Sequence, residues 1–154
     1  MHKKSPLTDE EIRFFKALQK KKVPFLVVGL SAANLQGAPV VTQDIDLWFK
    51  SLPDPKLIEA LNEVRGFYVP PFGLNPPLLG GDGLELLDIV LTLDGLKSFD
   101  YEYKRSRTIS LEGIRLKVLP LERIIKSKKA AGRLKDKAAL PVLEDALKTI
   151  RARR

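Results

Sequence analysis

Two aspartates spaced two residues apart, Asp44 and Asp46, lie in an apolar segment that is typical of a β-strand. Side chains alternate between the two faces of a strand, so both carboxylates should share one face. Ile45, Leu47 and Phe49 should then point the other way, into a core. Like charges held side by side repel each other, and a divalent cation between them removes the repulsion. Mg²⁺ takes oxygen ligands, often one or two carboxylates together with the phosphates of a substrate. The spacing therefore predicts a strand with a metal site on one face.

The segment before these aspartates predicts a strand followed by a short helix. Residues 25–29 are apolar throughout, as expected for a central strand that is buried on both faces. Residues 31–36, which include several small residues, predict a short helix. A glycine where a strand turns into a helix lets a phosphate approach the backbone, and the helix N-terminus supplies free N–H groups. Such a glycine is usually only a turn residue. Gly29 becomes a candidate phosphate contact because of the aspartates that follow it, and the Ser31 hydroxyl is a second candidate.

A third aspartate, Asp88, lies in the next strongly apolar segment, residues 84–93, which predicts another strand. An unpaired carboxylate on a buried strand is costly, so Asp88 requires a partner. One interpretation is a functional site shared with the first two aspartates. The other is a structural acid that is bonded to the backbone or to an arginine. The presence of Asp44 and Asp46 favours the shared site.

Together these residues resemble a known signature. Gly29, a helix of small residues, Gly37, Thr42 and the run Asp44-Ile45-Asp46-Leu47 are similar to the signature of the nucleotidyltransferase superfamily, the fold of DNA polymerase beta. In that family a third carboxylate comes from a later strand, and Asp88 matches it as metal ligand or general base. Within the superfamily, the chain most resembles small stand-alone bacterial and archaeal proteins, which include toxins and antitoxins.

The C-terminal part resembles a second feature of those small proteins. They often carry a lysine on a helix, then Gly-Arg-x-Lys-Asp, then a last helix, and residues 132–136 match that run. The resemblance aligns Lys128 with the lysine that faces the acidic cluster and the nucleotide. The alternative is that the whole basic run belongs to solvated helix ends. The last helix is expected over residues 137–150.

Two positions depart from the family pattern. Leu30 stands where the family has a second Gly or Ser directly after the first, so that Ser31 comes one place late. Val40 stands where many of the small proteins have an arginine shortly before the threonine. Both departures concern the binding of phosphate, and they are the features that favour a protein without catalytic activity.

Length predicts a single domain over residues 1–154, and the resemblance implies that this domain is nucleotidyltransferase-like. The expected fold class is α/β (α+β), and the resemblance implies the nucleotidyltransferase fold. We expect a mixed sheet of about five strands, helices mainly on one face, and a C-terminal helical pair that closes the site. Residues 70–83 are so rich in proline and glycine that they predict an irregular segment, either a functional loop or a disordered one.

The resemblance implies a metal-dependent nucleotidyltransferase that moves a nucleotidyl group from a nucleoside triphosphate (NTP) to an acceptor hydroxyl. Asp44 and Asp46 are expected to hold two Mg²⁺ ions, or Mn²⁺, with the triphosphate, and Asp88 to share the second ion. The nucleotide is expected to contact Gly29, Ser31 and Lys128. The acceptor stays open between RNA, protein and a small molecule. The alternative is a catalytically impaired binding module, antitoxin-like or nucleic-acid-binding.

Composition narrows the remaining possibilities. The absence of cysteine excludes disulfides and indicates a reducing compartment. No apolar run is long enough to span a membrane. The start of the chain lacks the apolar segment of a signal peptide. These features predict a cytoplasmic protein. The net charge of +8 suits either a polyanionic partner or a merely soluble protein. A basic hairpin over residues 105–118 either lines a cleft or forms the outer face of a sheet, and the outer face is preferred.

Overall fold

The computed structural model describes residues 7–153, and the expectation about a signal peptide rests mainly on residues outside that range. The strands are β1 (Phe25–Val28), β2 (Ile45–Phe49), β3 (Phe67–Val69), β4 (Leu78–Gly80), β5 (Leu87–Val90), β6 (Arg107–Leu111) and β7 (Ile114–Val118). The helices are α1 (Asp9–Lys20), α2 (Gly29–Leu35), α3 (Pro55–Glu63), α4 (Phe99–Lys104), α5 (Leu121–Ala131) and α6 (Leu134–Ala152). No helix within the described part of the chain is long and apolar enough to cross a lipid bilayer.

Five strands form a mixed sheet in the order β5-β2-β1-β7-β6. β2 is antiparallel to β1 and parallel to β5, while β1 is parallel to β7 and β7 is antiparallel to β6. All four residues of β1 are buried, as the apolar sequence of a central strand predicts. The fold class and the five-stranded mixed sheet expected from the sequence are confirmed.

The core gathers around the central strands. The ring of Phe25 stacks on that of Phe15 from α1 at 5.6 Å and lies 6.1 Å from that of Phe49 on β2. Helix α1 begins where the sequence provides a capping box, because the side chain of Thr8 accepts from the N–H of Glu11 and Glu11 accepts from the N–H of Thr8. The aromatic contacts hold β1 and β2 in the register that places the acidic residues.

The third carboxylate lies on the edge of the sheet, which corrects one expectation. The strand predicted over residues 84–93 is only the four residues of β5, and Asp88 is exposed rather than buried. β5 pairs with β2 on one side only, so its outer edge faces solvent. Leu84 and Leu87 are buried, but Leu86 and Leu91 are 40% and 55% exposed. The apolar run therefore belongs partly to turns, and Asp88 needs no buried partner.

The first carboxylate also lies outside its predicted strand. β2 begins at Ile45, so Asp44 precedes the strand and is exposed. The main chain of Asp44 is held instead by the hydroxyl of Thr42, which donates to the Asp44 carbonyl oxygen at 3.1 Å. Strand alternation therefore fixes the direction of Asp46 but not that of Asp44.

The proline- and glycine-rich segment contains more structure than expected. β4 lies within it and pairs with β3 in a two-stranded antiparallel sheet. Leu79 of β4 is buried and anchors the hairpin. Gly80 lies under the ring of Phe67, where a Cβ would overlap the aromatic carbons. The prolines restrict the chain around the turn without preventing the pairing.

The C-terminal helical pair forms as expected, but its second helix is longer. α6 begins at Leu134 rather than at residue 137 and continues through Pro141. Gly132 ends α5 in the left-handed conformation with φ of 65°, and Arg133 is the N-cap of α6. A break of only two residues therefore separates the two helices.

Candidate active site

Two of the predicted acidic residues lie side by side on neighbouring strands. Asp46 of β2 is the register partner of Asp88 on β5, and the two strands are parallel. Paired residues on adjacent strands point to the same face of the sheet, and the strands are about 4.8 Å apart. The sheet therefore brings two carboxylates to one face at the edge where β5 ends the sheet.

Asp44 opens onto the same space. One cavity of about 510 Å³ is lined by all three aspartates, together with Gly29 and Lys128. Its other lining residues include Val28, Leu30, Thr42, Thr92, Arg133 and Lys135. Five of the six residues selected from the sequence thus lie around one cavity, and Ser31 is the exception.

The aspartates affect one another electrostatically. The pKa of Asp46 is raised above its usual range by burial, and further by the charges of Asp88 and Asp44, while Lys128 and Lys135 oppose that rise. The pKa of Asp88 is raised by its partial burial and by the charge of Asp44. The arrangement is a repulsive group of acids with two lysines around the same cavity. Such a group is stabilised by added positive charge.

Gly29 is required at its position for two reasons. Its φ of 65° lies in the left-handed region, which residues with a side chain rarely adopt. A Cβ at this position would also overlap Oδ2 of Asp46. The glycine therefore allows the Asp46 carboxylate to rest directly against the turn between β1 and α2.

The structure gives Ser31 a different role from the predicted phosphate contact. Ser31 is 5% exposed, and its hydroxyl donates to the carbonyl oxygen of Val28 at 2.8 Å. The same hydroxyl oxygen accepts from the backbone N–H of Asp46 at 3.2 Å. Its hydrogen bonds thus join the end of β1 to β2 at the residue that carries the carboxylate. Ser31 positions Asp46 from within the protein.

Lys128 lies on α5, held by a carboxylate from the start of α6. Its Nζ is 3.1 Å from Oδ1 of Asp136, and the Lys128 side chain is 17% exposed. Nε of Arg133 donates to Oδ2 of the same residue at 2.7 Å, and Asp136 itself is fully buried. These contacts lower the pKa of Asp136 to about 2, mainly through the hydrogen bond from Arg133 and secondarily through that from Lys128. The Gly-Arg-x-Lys-Asp segment thus forms a charged junction that orients Lys128.

A glutamine that sequence reasoning did not select connects the two halves of the site. The side chain of Gln36 donates to the carbonyl oxygen of Leu119 at 2.8 Å and accepts from the N–H of Leu121 at 3.2 Å. It fastens the end of α2 to the start of α5. The position of Lys128 relative to Gly29 depends on this contact, and nothing in the sequence pattern marks it.

Two more cavity residues were not selected as ligands. Lys135 is exposed, and its charge opposes the rise in the pKa of Asp46. The sequence feature that could have identified Lys135 is the Gly-Arg-x-Lys-Asp run, of which it is the lysine. Thr92 lines the same cavity as the three aspartates. The only sequence feature that could have identified it is its position four residues after Asp88.

The acidic residues fit a hard divalent cation by their chemistry. Within residues 7–153, no three acidic, histidine or cysteine side chains converge tightly enough to hold a metal as they stand. Mg²⁺ commonly uses one or two carboxylates and takes its other ligands from substrate phosphates and water. Asp46 and Asp88 supply two carboxylates on one face, and Asp44 opens onto the same cavity. The donor set of oxygen atoms alone suits Mg²⁺ or Mn²⁺.

Comparison with known proteins gives matches at the level of structure. No protein-family model matches the chain, and no curated protein matches it. A Thermotoga maritima protein that is classed provisionally as a nucleotidyltransferase aligns with a TM-score of 0.61 and 21% identity, covering 93% of this chain and 91% of its own.

Two structures of ANT(2″)-Ia align as well. The crystal structure, a complex with adenylyl-2″-tobramycin, has a TM-score of 0.56 and 18% identity, covering 92% of this chain and 95% of its own. The solution structure of the same antibiotic-resistance factor has a TM-score of 0.58 and 16% identity, covering 94% and 90%. The element order, the mixed sheet and these alignments agree, and the protein has the nucleotidyltransferase fold.

Proposed function

We propose that this protein is a metal-dependent nucleotidyltransferase that moves a nucleotidyl group from an NTP to an acceptor hydroxyl. The observation that carries the proposal is a single cavity that is lined both by Asp44, Asp46 and Asp88 and by Lys128 and Lys135. A triphosphate with bound cations presents the complementary pattern, since its metal ions meet carboxylates and its free phosphate oxygens meet ammonium groups. The adenylylated tobramycin bound to ANT(2″)-Ia supports the same class of chemistry on this fold.

Each side chain has a proposed part in this reaction. Asp44, Asp46 and Asp88 hold the divalent ions, which we propose to be two Mg²⁺ or Mn²⁺. When bound, the ions supply charge stabilisation to the attacking and leaving oxygens. Asp88 is exposed at the sheet edge, where an acceptor can reach it, and its carboxylate takes the proton of the acceptor hydroxyl.

The remaining residues bind and orient the nucleotide. Lys128 neutralises phosphate charge, and Asp136 keeps its side chain directed across the cavity. Gly29 lines the cavity at the turn between β1 and α2, where its backbone is the proposed contact for a phosphate. Ser31 contributes by fixing the backbone of Asp46 rather than by touching the nucleotide.

The direct test is transfer of label. The protein is incubated with each of the four NTPs labelled at the α-phosphate, with Mg²⁺ or Mn²⁺, and with RNA, protein and small-molecule fractions of a cell extract. We expect label from at least one NTP to appear in one acceptor fraction, and the metal chelator EDTA to prevent it. Absence of transfer to every fraction with both metals would contradict the proposal.

We predict that Lys128→Ala weakens NTP binding about tenfold to a hundredfold. Loss of one charge-assisted hydrogen bond to phosphate costs about 1.5–3 kcal/mol, which corresponds to that range. The matched control is Lys129→Ala, because Lys129 is the next residue on α5 but pairs with Glu144 at the surface, at 3.2 Å. Calorimetric titration with an NTP and Mg²⁺ at two ionic strengths measures both variants. Equal, small and salt-sensitive losses would place Lys128 among ordinary surface charges.

A second candidate function is favoured by one residue of the same cavity. Leu30 lines the cavity and packs partly against the core, where the family has Gly or Ser. If Leu30 obstructs the phosphate, the protein is a binding module, antitoxin-like or nucleic-acid-binding, that retains the acids without turnover. In that case Leu30→Ser should strengthen NTP binding in a calorimetric titration. Unchanged or weaker binding would show that Leu30 is a packing residue and would leave the enzyme as the function.

A further inference from the structure

A second concave site lies at the opposite end of the central strand from the acids. Val28 ends β1 beside Asp46, whereas Phe25 begins β1 and lines a separate cavity of about 290 Å³. This second cavity, hereafter the basic cleft, is lined by Gln19, Lys22, Val23, Pro24, Phe25, Tyr103, Arg115 and Lys117. Its three basic residues are Lys22, in the turn after α1, and Arg115 and Lys117 on β7. The basic hairpin was expected either to line a cleft or to form the outer face of a sheet. Its β7 residues Arg115 and Lys117 line a cleft.

The three cations of the basic cleft have no acidic partners. Among residues 7–153, no carboxylate lies within 4.0 Å of Lys22, Arg115 or Lys117, and all three are exposed. The adjacent Lys21 differs, since its Nζ lies 3.7 Å from Oε1 of Glu63. Three unneutralised positive charges around one concavity create a local potential that attracts anions.

Hydroxyl groups flank these cations in a regular pattern. Thr108 on β6 is the register partner of Lys117, and Ser110 is the partner of Arg115. All four side chains are exposed on one face of the β6–β7 hairpin, while Ile114, Leu116 and Val118 are buried behind it. Hydroxyl and cationic side chains are the groups that proteins use to contact phosphate oxygens. One face of the β6–β7 hairpin thus carries a row of side chains that can donate hydrogen bonds to phosphate oxygens.

The cleft is held in place by its own contacts. The Gln19 side chain donates to the carbonyl oxygen of Arg115, which ties the end of α1 to β7. The ammonium of Lys117 lies 5.1 Å from the centre of the Tyr103 ring, and that ring stacks on Phe99 at 5.2 Å. Arg115 and Lys117 therefore project from a strand that is held by packing, whereas Lys22 lies in the turn between α1 and β1.

We propose that the basic cleft and the adjoining face of the hairpin bind the phosphodiester backbone of a nucleic acid strand. Arg115 and Lys117 are about 6.6 Å apart along β7, at about 3.3 Å per residue. Lys22 lies in the turn that follows α1 and lines the same cleft. A chain of phosphates matches such a row better than one phosphate does. Positively charged grooves that follow the backbone are typical of binding to single strands. The proposal stands apart from the nucleotidyl-transfer function, because none of these residues lines the acidic cavity.

The test is binding of labelled oligonucleotides of about 16 nucleotides, one of uridine and one of deoxythymidine. Fluorescence anisotropy is measured at about 50 mM and about 200 mM salt, without metal or NTP. We expect the wild type to bind at the lower salt concentration. The double variant Arg115→Gln, Lys117→Gln should bind about tenfold more weakly, with a salt slope smaller by about 1.4, or about 0.7 for each phosphate that is no longer neutralised. Tighter binding of the RNA strand than of the DNA strand would show that the cleft also contacts the 2′-hydroxyl groups. Equal binding of the two strands would show that it contacts the phosphodiester backbone alone.

The matched control removes the same two charges elsewhere. Lys148→Gln, Arg151→Gln alters exposed residues of α6 and should bind like the wild type. Asp46→Asn should also bind like the wild type, which separates this site from the acidic cavity. Failure of the wild type to bind either strand, or equal losses in the two double variants, would overturn the proposal. Thermal unfolding of each variant confirms that it is folded.

Discussion

Replacing Asp46 by Asn should abolish nucleotidyl transfer while the protein remains folded and at least as stable as the wild type. The Asp46 carboxylate rests against the turn at Gly29, and Asp46 is the register partner of Asp88. Loss of a ligand to a catalytic cation costs several kcal/mol of transition-state stabilisation, which corresponds to about a thousandfold or more in rate. Transfer of label with the preferred NTP measures the activity, and urea unfolding measures the stability.

The stability result follows from the sign of the pKa shift. Burial and the charges of Asp88 and Asp44 raise the pKa of Asp46 in the folded state, so ionised Asp46 destabilises the metal-free fold. An amide of the same shape removes that repulsion. The gain should be present at neutral pH and absent below the usual aspartate pKa of 3.8, where Asp46 is protonated in both folded and unfolded states.

The control for this variant is Asp145→Asn, which changes an exposed aspartate on α6. It should leave both transfer and stability unchanged. Retained transfer in Asp46→Asn would remove Asp46 from the reaction. A large loss of stability would instead show that the carboxylate has a structural partner and that the loss of transfer reflects misfolding.

The sequence predicted the shape of this site because local rules decide most of it. A strand fixes the face of Asp46, an apolar run fixes β1 as a central strand, and a glycine at the end of β1 permits the close approach of the carboxylate. The pairing of Asp46 with Asp88 was not local. The presence of Asp44 and Asp46 favoured a site shared with Asp88, and the resemblance to a family pointed to the same residue.

What the sequence could not give depends on contacts between distant segments. Ser31 was expected at the phosphate, yet its hydroxyl is used within the protein because the end of β1 passes close to β2. Asp88 was expected to be buried because composition cannot distinguish an edge strand from a central one. Lys135 was expected in the turn before the last helix, but it lies in the first turn of α6 and lines the acidic cavity.

The second large effect concerns the charged junction behind Lys128. Asp136 is fully buried and accepts from Arg133 at 2.7 Å and from Lys128 at 3.1 Å, across the break between α5 and α6. Its carboxylate also accepts from the backbone N–H of Arg133 at 3.2 Å, which begins α6. Replacing Asp136 by Asn leaves two cations without their acid. We expect the free energy of unfolding to fall by about 3 kcal/mol, since removal of one partner of a buried pair is costly.

This loss should depend on pH in a defined direction. The pKa of Asp136 is lowered to about 2, so the stabilising contribution of its ionised form is complete above the usual value of 3.8 and is lost as pH falls towards 2. The lowering corresponds to about 2 kcal/mol of wild-type stability. The difference in stability between wild type and Asp136→Asn should therefore be constant near neutral pH and should shrink in acid. Urea unfolding of both proteins across this pH range measures it.

A neighbouring ion pair supplies the control for Asp136. Glu144 on α6 pairs with Lys129 on α5, so it joins the same two helices, but the side chains of Lys129 and Glu144 are 61% and 43% exposed. Glu144→Gln should lower the free energy of unfolding by less than about 1 kcal/mol, because exposed pairs are screened by water and salt. If the two variants lose equal stability, burial of Asp136 does not strengthen its ion pairs. A loss confined to Asp136→Asn, together with weaker NTP binding, would show that the junction both stabilises the helical pair and holds Lys128 towards the acidic cavity.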